Sequence, residues 1–318
     1  MEQALNVDDL LRRSGARLLV VAPHPDDESL AAGGLIQRAR ALGADVRVLL
    51  LTDGDNNPWP QRWLERRLCI DAAARRRWGE RRRGEVREAL AGLGVPAQAL
   101  LALGWADLGV TARLCTDFAA ARDAFAARLR ACAPTMIAAP ALDDRHPDHS
   151  AARVLLELAL ADVAPYPPLL GYLVHGRPAQ RGTPVVIALD AAMRERKRAA
   201  VLAHRTQVAL SRGRLLRCVG DRELFRFDGP TTTPWRDSLL LPWRPPAWLH
   251  ARLDLLLAHR GGAQRVPWRS APLYRTDAGF RLDVPAAARG GLLFVKLEAR
   301  FDTAWIFDRW GWWRASEE

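Results

Sequence analysis

Cysteine, lysine and long apolar runs are all scarce in this 318-residue chain, and each scarcity excludes something. The four cysteines, Cys69, Cys115, Cys132 and Cys218, are scattered and form no Cys-x-x-Cys pair. That speaks against a disulfide framework and a thiolate metal site, and leaves buried thiols. No stretch approaches the roughly 18 uninterrupted apolar residues of a membrane span. The opening MEQALNVDDLLRRSG puts acids where a secretory leader needs a basic segment followed by an apolar one, so a cytoplasmic protein without a membrane span is expected. Arg and Ala replace Lys, Ile and Asn throughout, and the net charge of +11 rests almost entirely on arginine. That replacement reads first as a compositional habit; no recognisable module interleaves the charge with aromatics, which argues against nucleic acid, and an anionic small molecule, such as a sugar phosphate, nucleotide sugar or lipid headgroup, is the alternative counterpart. What is abundant is apolar: 49% of the chain is hydrophobic, enough for one large domain or a domain with an appendage.

Apolar runs at Arg17–Ala22 (RLLVVA) and 46–52 (VRVLLLT) flank a helical pattern from about Ser29 to Leu42. Short runs without alternation, separated by helices, read as parallel strands covered on both faces. The pattern continues with a helix over 80–93, capped by Gly94, a strand at 100–103, a helix at 117–131 and a strand at 135–139. A helix from about Ser150, strands at 171–174 and 185–189 and a charged helix at 191–204 complete it. The fold class is therefore α/β, a Rossmann-like, mostly parallel sheet with helices on both faces. After about Gly229 proline and tryptophan become frequent, and eight of the twelve tryptophans lie between Trp235 and Trp313. Within this part Phe294 to Phe301 alternates, placing Val295, Leu297, Ala299 and Phe301 on one face and Lys296, Glu298 and Arg300 on the other, which predicts a half-buried strand. Residues 1–230 are read as a catalytic domain and 231–318 as a Trp-rich, β-containing extension packed on or near its cleft. Core packing is the favoured role for its tryptophans, with a sugar-stacking platform as the other.

The chemistry concentrates in two clusters. VVAPHPDDESLAAGG, Val20 to Gly34, ends a buried strand in His24, Pro25 and three consecutive acids, where mutual repulsion and desolvation both disfavour them. A cation there resolves the conflict. His24 and Asp27, three apart across a strand-to-helix turn, are able to face one point. Imidazole with carboxylate suits zinc, whose catalytic sites use three protein ligands. The loop of PALDDRHPDHSAARVLLELAL offers the third through His149 at a helix start, His146 one turn earlier, and Asp148 able to hold a ring nitrogen. A surface turn with a capping aspartate explains either cluster alone. Two of them, about 120 residues apart, each ending an apolar strand and opening a helix at the ligand-binding edge of an α/β sheet, are hard to attribute to capping.

PHPDDE at 23–28 and HPDH at 146–149 resemble the paired signatures of the zinc-dependent N-acetylglucosaminyl de-N-acetylase family, also called PIG-L or LmbE-like. The resemblance implies His24, Asp27 and His149 as metal ligands and Asp26 as the base that takes a proton from the attacking water. It implies His146 as an aid at the oxyanion or leaving amine and Asp148 as orienting a histidine. Weaker similarity covers RRGEVREALAGLG at 82–94, LGWAD at 103–107, whose Asp107 corresponds to a substrate contact, and KRAAVLAHRTQ at 197–207. Together these span about residues 17–210. Two departures stand out: Leu108 follows Asp107 where the family usually has glycine, and Asp143, Asp144 and Arg145 stand where some members carry a tyrosine.

The implied reaction is consistent with the residues. Two imidazoles and one carboxylate leave zinc with a charge near plus one, enough to bring water from a pKa of about 15.7 toward about 7 and to polarise an acetamide. Asp26 accepts the proton, and a histidinium at His146 would stabilise the oxyanion and protonate the departing nitrogen. The same ligands serve ferrous iron. Glu28 is read as starting the helix, where a carboxylate complements the dipole. Arg81, Arg82 and Arg83 read as a solvated helix face from which Arg82 is best placed to reach an anionic substrate; Arg145, His175 and Gln207 are further candidate substrate contacts, and His204 divides between such a contact and a helix terminus. The expected activity is removal of the N-acetyl group from an N-acetylglucosamine-type conjugate, releasing acetate and a free amine. The alternatives are a metal-dependent amidase on an antibiotic-type acyl amide and a non-catalytic glycan-binding protein on the same fold.

Overall fold

The computed structural model describes residues 6–161, 163–176, 182–228, 237–289, 291–300 and 306–315. In chain order its helices are α1 (Val7–Leu11), α2 (Asp27–Ala41), α3 (Pro58–Glu65), α4 (Ala72–Gly92), α5 (Val110–Thr116), α6 (Phe118–Cys132), α7 (Pro147–Leu160), α8 (Ala191–Ala203) and α9 (Arg205–Leu216). Its strands are β1 (Arg17–Ala22), β2 (Asp45–Thr52), β3 (Leu100–Trp105), β4 (Met136–Pro140), β5 (Leu169–Tyr172), β6 (Thr183–Ala188), β7 (Arg222–Phe227), β8 (Ser238–Leu240), β9 (Leu253–His259), β10 (Gly262–Pro267), β11 (Leu273–Thr276), β12 (Gly279–Asp283), β13 (Leu293–Ala299) and β14 (Trp313–Arg314). They belong to two compact units, one made of Met1–Gly109, Ala127–Ala141 and Pro167–Gly229, the other of Val110–Ala126, Leu142–Tyr166 and Pro230–Glu318. No helix among the described residues is long and apolar enough to cross a membrane.

The first unit holds a seven-stranded sheet in the order β3-β2-β1-β4-β5-β7-β6. Its first five strands are parallel, and β7 runs antiparallel between β5 and β6. The mostly parallel sheet expected from the sequence is thus present, and β1 is buried along nearly its whole length, as the absence of alternation in RLLVVA requires. The edge strand β6 does alternate: Val185 and Ile187 enter the core while Val186 faces out.

Helix α2 approaches its neighbours closely because of Gly34, where a Cβ would lie 2.8 Å from a Leu189 methyl and 3.0 Å from the Glu223 carboxyl carbon. That carboxylate accepts the Gly34 and Leu35 amides at 2.6 and 2.9 Å and pairs with Lys197 Nζ at 2.6 Å. A buried ion pair is tolerable only when its remaining polar capacity is satisfied, and two helix amides do that here. Helix α4 is longer than the expected 80–93. It starts at Ala72 behind Asp71, whose carboxylate accepts the Ala74 amide, because the arginine triplets that dilute the apolar periodicity do not weaken the helix itself. Gly94 closes it at φ +78°, with Val95 N–H bonded back to Leu90 O.

In the second unit a four-stranded antiparallel sheet, β10-β9-β13-β14, and a three-stranded one, β11-β12-β8, enclose a core that includes Leu255, Leu257, Trp268, Leu282, Val295 and Leu297. The half-buried strand expected from Phe294 onward is corrected. Lys296, on the face expected to meet solvent, is fully buried, with Nζ 2.7 Å from Asp308 Oδ2. Glu298 pairs with Arg265 at 2.6 Å, so an ion-pair network covers the polar face. Phe301 lies outside the described residues. Trp268 and Trp312 are buried and Trp243, Trp310 and Trp313 pack against the core, which is the structural role expected for them.

Candidate active site

In the first unit β1 delivers its carboxyl end to His24. The hydroxyl and the amide of Thr52, the last residue of β2, donate to Pro23 O at 2.9 and 3.0 Å, fixing the chain one residue before the histidine. A tight turn follows, in which His24 O accepts the amides of Asp26 and Asp27 at 2.9 and 3.2 Å. Asp27 Oδ2 folds back onto the His24 amide at 2.8 Å and lies 3.3 Å from His24 Nδ1. The other ring nitrogen, Nε2, lies 3.2 Å from Asp107 Oδ1, in the loop after β3. One imidazole is thus flanked by two buried carboxylates. Burial alone would push the Asp107 carboxyl up, but His24, Arg82 and the Asn56 amide outweigh it and hold it below the ordinary range. Leu108, the departure from the family's glycine, has φ +61°, the left-handed region that glycine enters without cost.

Asp26 stands at the N-cap position of α2, yet its carboxylate makes no capping bond. Burial, opposed by Arg82 and reinforced by Asp27, pushes that carboxyl from 3.8 up to about 6. Arg82 is itself 3% exposed, which overturns its reading as part of a solvated face. Its guanidinium donates to Gly54 O and Pro25 O, each at 2.8 Å, and lies 3.7 Å from Asp26 Oδ1. Gly54, at φ +61°, makes room: a Cβ there would sit 1.8 Å from Arg82 Nη1. Arg82 therefore braces the turn, joining the loops after β1 and β2.

Glu28 does more than begin a helix. It is fully buried, and its Oε1 lies 3.0 Å from His204 Nε2 and accepts the Ser29 hydroxyl at 2.7 Å. Burial alone would lower the His204 ring, but the charge and hydrogen bond of Glu28 reverse this and raise it. Among the described residues, Glu28 Oε2 and His204 Nδ1 are buried without a hydrogen-bond partner. The next turn is fixed by Glu85, which accepts the Thr206 amide at 3.1 Å and its hydroxyl at 2.6 Å. Gln207 is half-buried beside Thr206, and His175 is half-buried after β5.

The second unit carries the other cluster. His146 is the N-cap of α7, with Pro147 in the first helical position. Its Nδ1 accepts the Asp148 amide at 3.2 Å, and because a backbone N–H can only donate, the ring proton sits on Nε2. Asp148 Oδ1 accepts the Val110 amide at 3.0 Å, tying α7 to the start of α5. The carboxylate on His149 is Asp144: Oδ2 lies 3.2 Å from His149 Nδ1, both side chains are closed to solvent, and Oδ1 accepts the His146 amide at 2.9 Å. Asp144 lies five residues before the histidine it holds, outside the 146–149 cluster in which the sequence places the orienting carboxylate, Asp148.

The same loop is braced by the C-terminal segment. Asp308 N–H donates to Arg145 O at 2.8 Å, and the Phe307 ring meets the His146 ring edge-on, centroids 6.2 Å apart. Burial raises the Asp308 carboxyl despite its pairing with Lys296. The Arg145 side chain is exposed. His24, Asp107, His146, Asp148 and His149 each offer a donor atom of the kind a metal ion takes. Imidazole and carboxylate in these proportions suit a divalent first-row cation, and the buried acids around His24 need positive charge.

A family model described as PIG-L, GlcNAc-PI de-N-acetylase, matches residues 19–160. A 1D-myo-inositol 2-acetamido-2-deoxy-alpha-D-glucopyranoside deacetylase of Mycobacteroides abscessus is 41% identical over 97 residues, 30% of this chain and 33% of that protein. The counterpart in Rhodococcus jostii is 45% identical over 82 residues, 26% and 27% of the two chains. The matched region thus spans about a third of these relatives' length or less. Among solved structures, the conserved protein TT1542 from Thermus thermophilus is 30% identical, with 72% of this chain and 99% of that one covered and a TM-score of 0.50. The A40926 pseudoaglycone deacetylase Dbv21, at 22% identity, 67% and 96% coverage and a TM-score of 0.52, shares the fold. With both signatures inside the matched region and TT1542 covered almost end to end, this chain belongs to the PIG-L family of de-N-acetylases.

Proposed function

We propose that this chain is a metal-dependent N-deacetylase acting on an N-acetylglucosamine-type conjugate. His24, Asp27 and His149 are its metal ligands, zinc or ferrous iron the ion, and Asp26 the general base. The observation that carries the reading is Asp26: a buried carboxylate at a helix N-cap that caps nothing, next to Asp27, with its carboxyl raised to about 6. The relatives named for deacetylating a glucosaminyl inositol support the sugar class.

When bound, the ion polarises the acetamide carbonyl and makes water a better nucleophile. Asp26 takes a proton from the water as its oxygen bonds to the carbonyl carbon, and returns that proton to the nitrogen as the C–N bond breaks, leaving acetate and an amine. His146 donates through Nε2–H to the developing oxyanion, a role that a neutral imidazole fills. Asp107 and Asp144 hold the ring nitrogens of His24 and His149, and a carboxylate there raises the basicity of the nitrogen opposite. Asp148 keeps the loop in place through Val110. Arg145, His175 and Gln207 contact the conjugate beyond its acetamide. Arg82 is read instead as bracing the turn, through Gly54 O and Pro25 O.

The test is acetate release from a panel of N-acetylglucosamine conjugates, comparing zinc-loaded, iron-loaded and chelated protein. Release that needs metal and follows one conjugate supports the reading. No release from metal-loaded protein across the panel overturns it.

A further inference from the structure

We propose that α3 and the turn after it form a docking surface for a bilayer carrying anionic lipid. Trp59 and Trp63, one helical turn apart, are each 68% exposed, and Leu64 and Leu68 beside them are 38% and 87% exposed. Single exposed apolar residues are ordinary, but two indoles and two leucines within ten residues are a patch. The patch is held rigidly. Gln61, on the opposite side of α3, is buried and donates to Ala74 O at 2.8 Å, anchoring the helix to α4. Arg66 ends the helix in the left-handed region at φ +52°, and Arg62 Nε bonds Leu68 O at 2.9 Å, so the turn that displays Leu68 is fixed.

Charge selects the occupant. Residues 58–77 contain Arg62, Arg66, Arg67, Arg75, Arg76 and Arg77 against Glu65 and Asp71. Asp71 is engaged with the start of α4 and Glu65 lies 3.6 Å from Arg77, while Arg66, Arg67, Arg75 and Arg76 are exposed. Indoles rimmed by cations match the headgroup layer of an anionic membrane, where tryptophan settles at the polar boundary and each basic group gains from the surface potential. A second copy of this chain is disfavoured as occupant, because a rim of arginines would face its own kind. Helix α3 begins two residues after Asn56, whose amide donates to Asp107 at 3.3 Å, so docking would bring the His24 end of this unit to the bilayer. The proposal does not depend on the reaction.

The experiment is co-sedimentation of the full chain with vesicles of phosphatidylcholine alone or with phosphatidylglycerol added, at low and high salt. Wild-type protein is expected to pellet with the anionic vesicles only, and less at high salt. Trp59→Ala/Trp63→Ala and Arg66→Glu/Arg67→Glu are each expected to weaken binding by about ten-fold or more. Trp248→Ala, a 73% exposed tryptophan in the other unit, is expected to change nothing. All the altered side chains are exposed, and unchanged melting temperatures will show that the variants fold. Failure of the wild type to pellet, equal binding to neutral vesicles, or binding indifferent to the tryptophan pair would overturn the proposal. So would sedimentation velocity showing that the tryptophan pair governs self-association instead.

Discussion

Asp144 holds His149: carboxylate oxygen and ring nitrogen are 3.2 Å apart, and neither side chain reaches solvent. The contact engages Nδ1, so that Nε2 is the nitrogen proposed to meet an ion. Asp144→Ala is therefore expected to weaken metal affinity by about 10- to 100-fold, the usual cost of removing a carboxylate behind a ligating histidine. Competition with a chromogenic chelator measures it. A conservative Asp144→Asn change, which keeps one acceptor, is expected to fall between the two, whereas an affinity unchanged in both would remove Asp144 from the site.

Asp26→Asn should separate chemistry from metal binding. Turnover is expected to drop by about 10²- to 10⁴-fold, with metal content by elemental analysis unchanged. The same variant has a thermodynamic signature in metal-free protein. An acid whose folded value is raised binds its proton more tightly when folded, so stability declines as pH rises from about 4 to about 6 and stays lower above that. The rise from 3.8 to about 6 corresponds to on the order of 3 kcal/mol. Chelated Asp26→Asn protein is thus expected to be more stable than chelated wild type at pH 8 and nearly equal at pH 4, as read by denaturant melts. Equal stability of the two at both pH values would mean that Asp26 is not desolvated.

What the sequence made legible, and what it hid, follows from range. His24, Asp26 and Asp27 are readable because a strand, a turn and a helix lie within a dozen residues, and local spacing decides which acids meet. Asp144 is hidden because a backbone turn, and not the spacing inside the 146–149 cluster, puts it against the ring. Arg82 was hidden because it stands within RRR, whose members are alike in sequence and differ only in what α4 presses against. Helices α3 and α9 and strand β7 escaped because arginine and proline obscure short periodicities that long-range contacts stabilise. Lys296 illustrates the same limit from the other side: its strict alternation was real, but another segment covers the polar face.

Phe307 and Asp308 reach His146 from more than 150 residues away in sequence, through the ring contact and the bond to Arg145 O. Phe307→Ala is expected to reduce turnover by on the order of ten-fold while leaving metal content intact, because small displacements of a positioned donor are costly. Phe307→Leu, which restores bulk but no ring edge, should recover part of the loss. Steady-state kinetics on the preferred conjugate decides between them, and full activity in Phe307→Ala would make the segment dispensable to the loop.

Glu28 and His204 give the last expectation, and its sign can be worked out. The pair is buried, and His204 is raised above its ordinary 6.5 by the charge and hydrogen bond of Glu28, which overcome burial. A raised histidine contributes stability that is fully present below 6.5 and is lost as pH climbs through the folded value. Glu28→Gln removes the anion and leaves a buried imidazole that can no longer be charged cheaply. The variant is expected to be destabilised by about 3 kcal/mol near pH 6, the scale for losing one partner of a buried pair, and by less as pH rises from there through the folded His204 value, above which the wild-type ring is neutral as well. Denaturant melts of both proteins across that interval measure the difference, and a loss independent of pH would show that Glu28 acts through its hydrogen bond to Ser29 and not through charge.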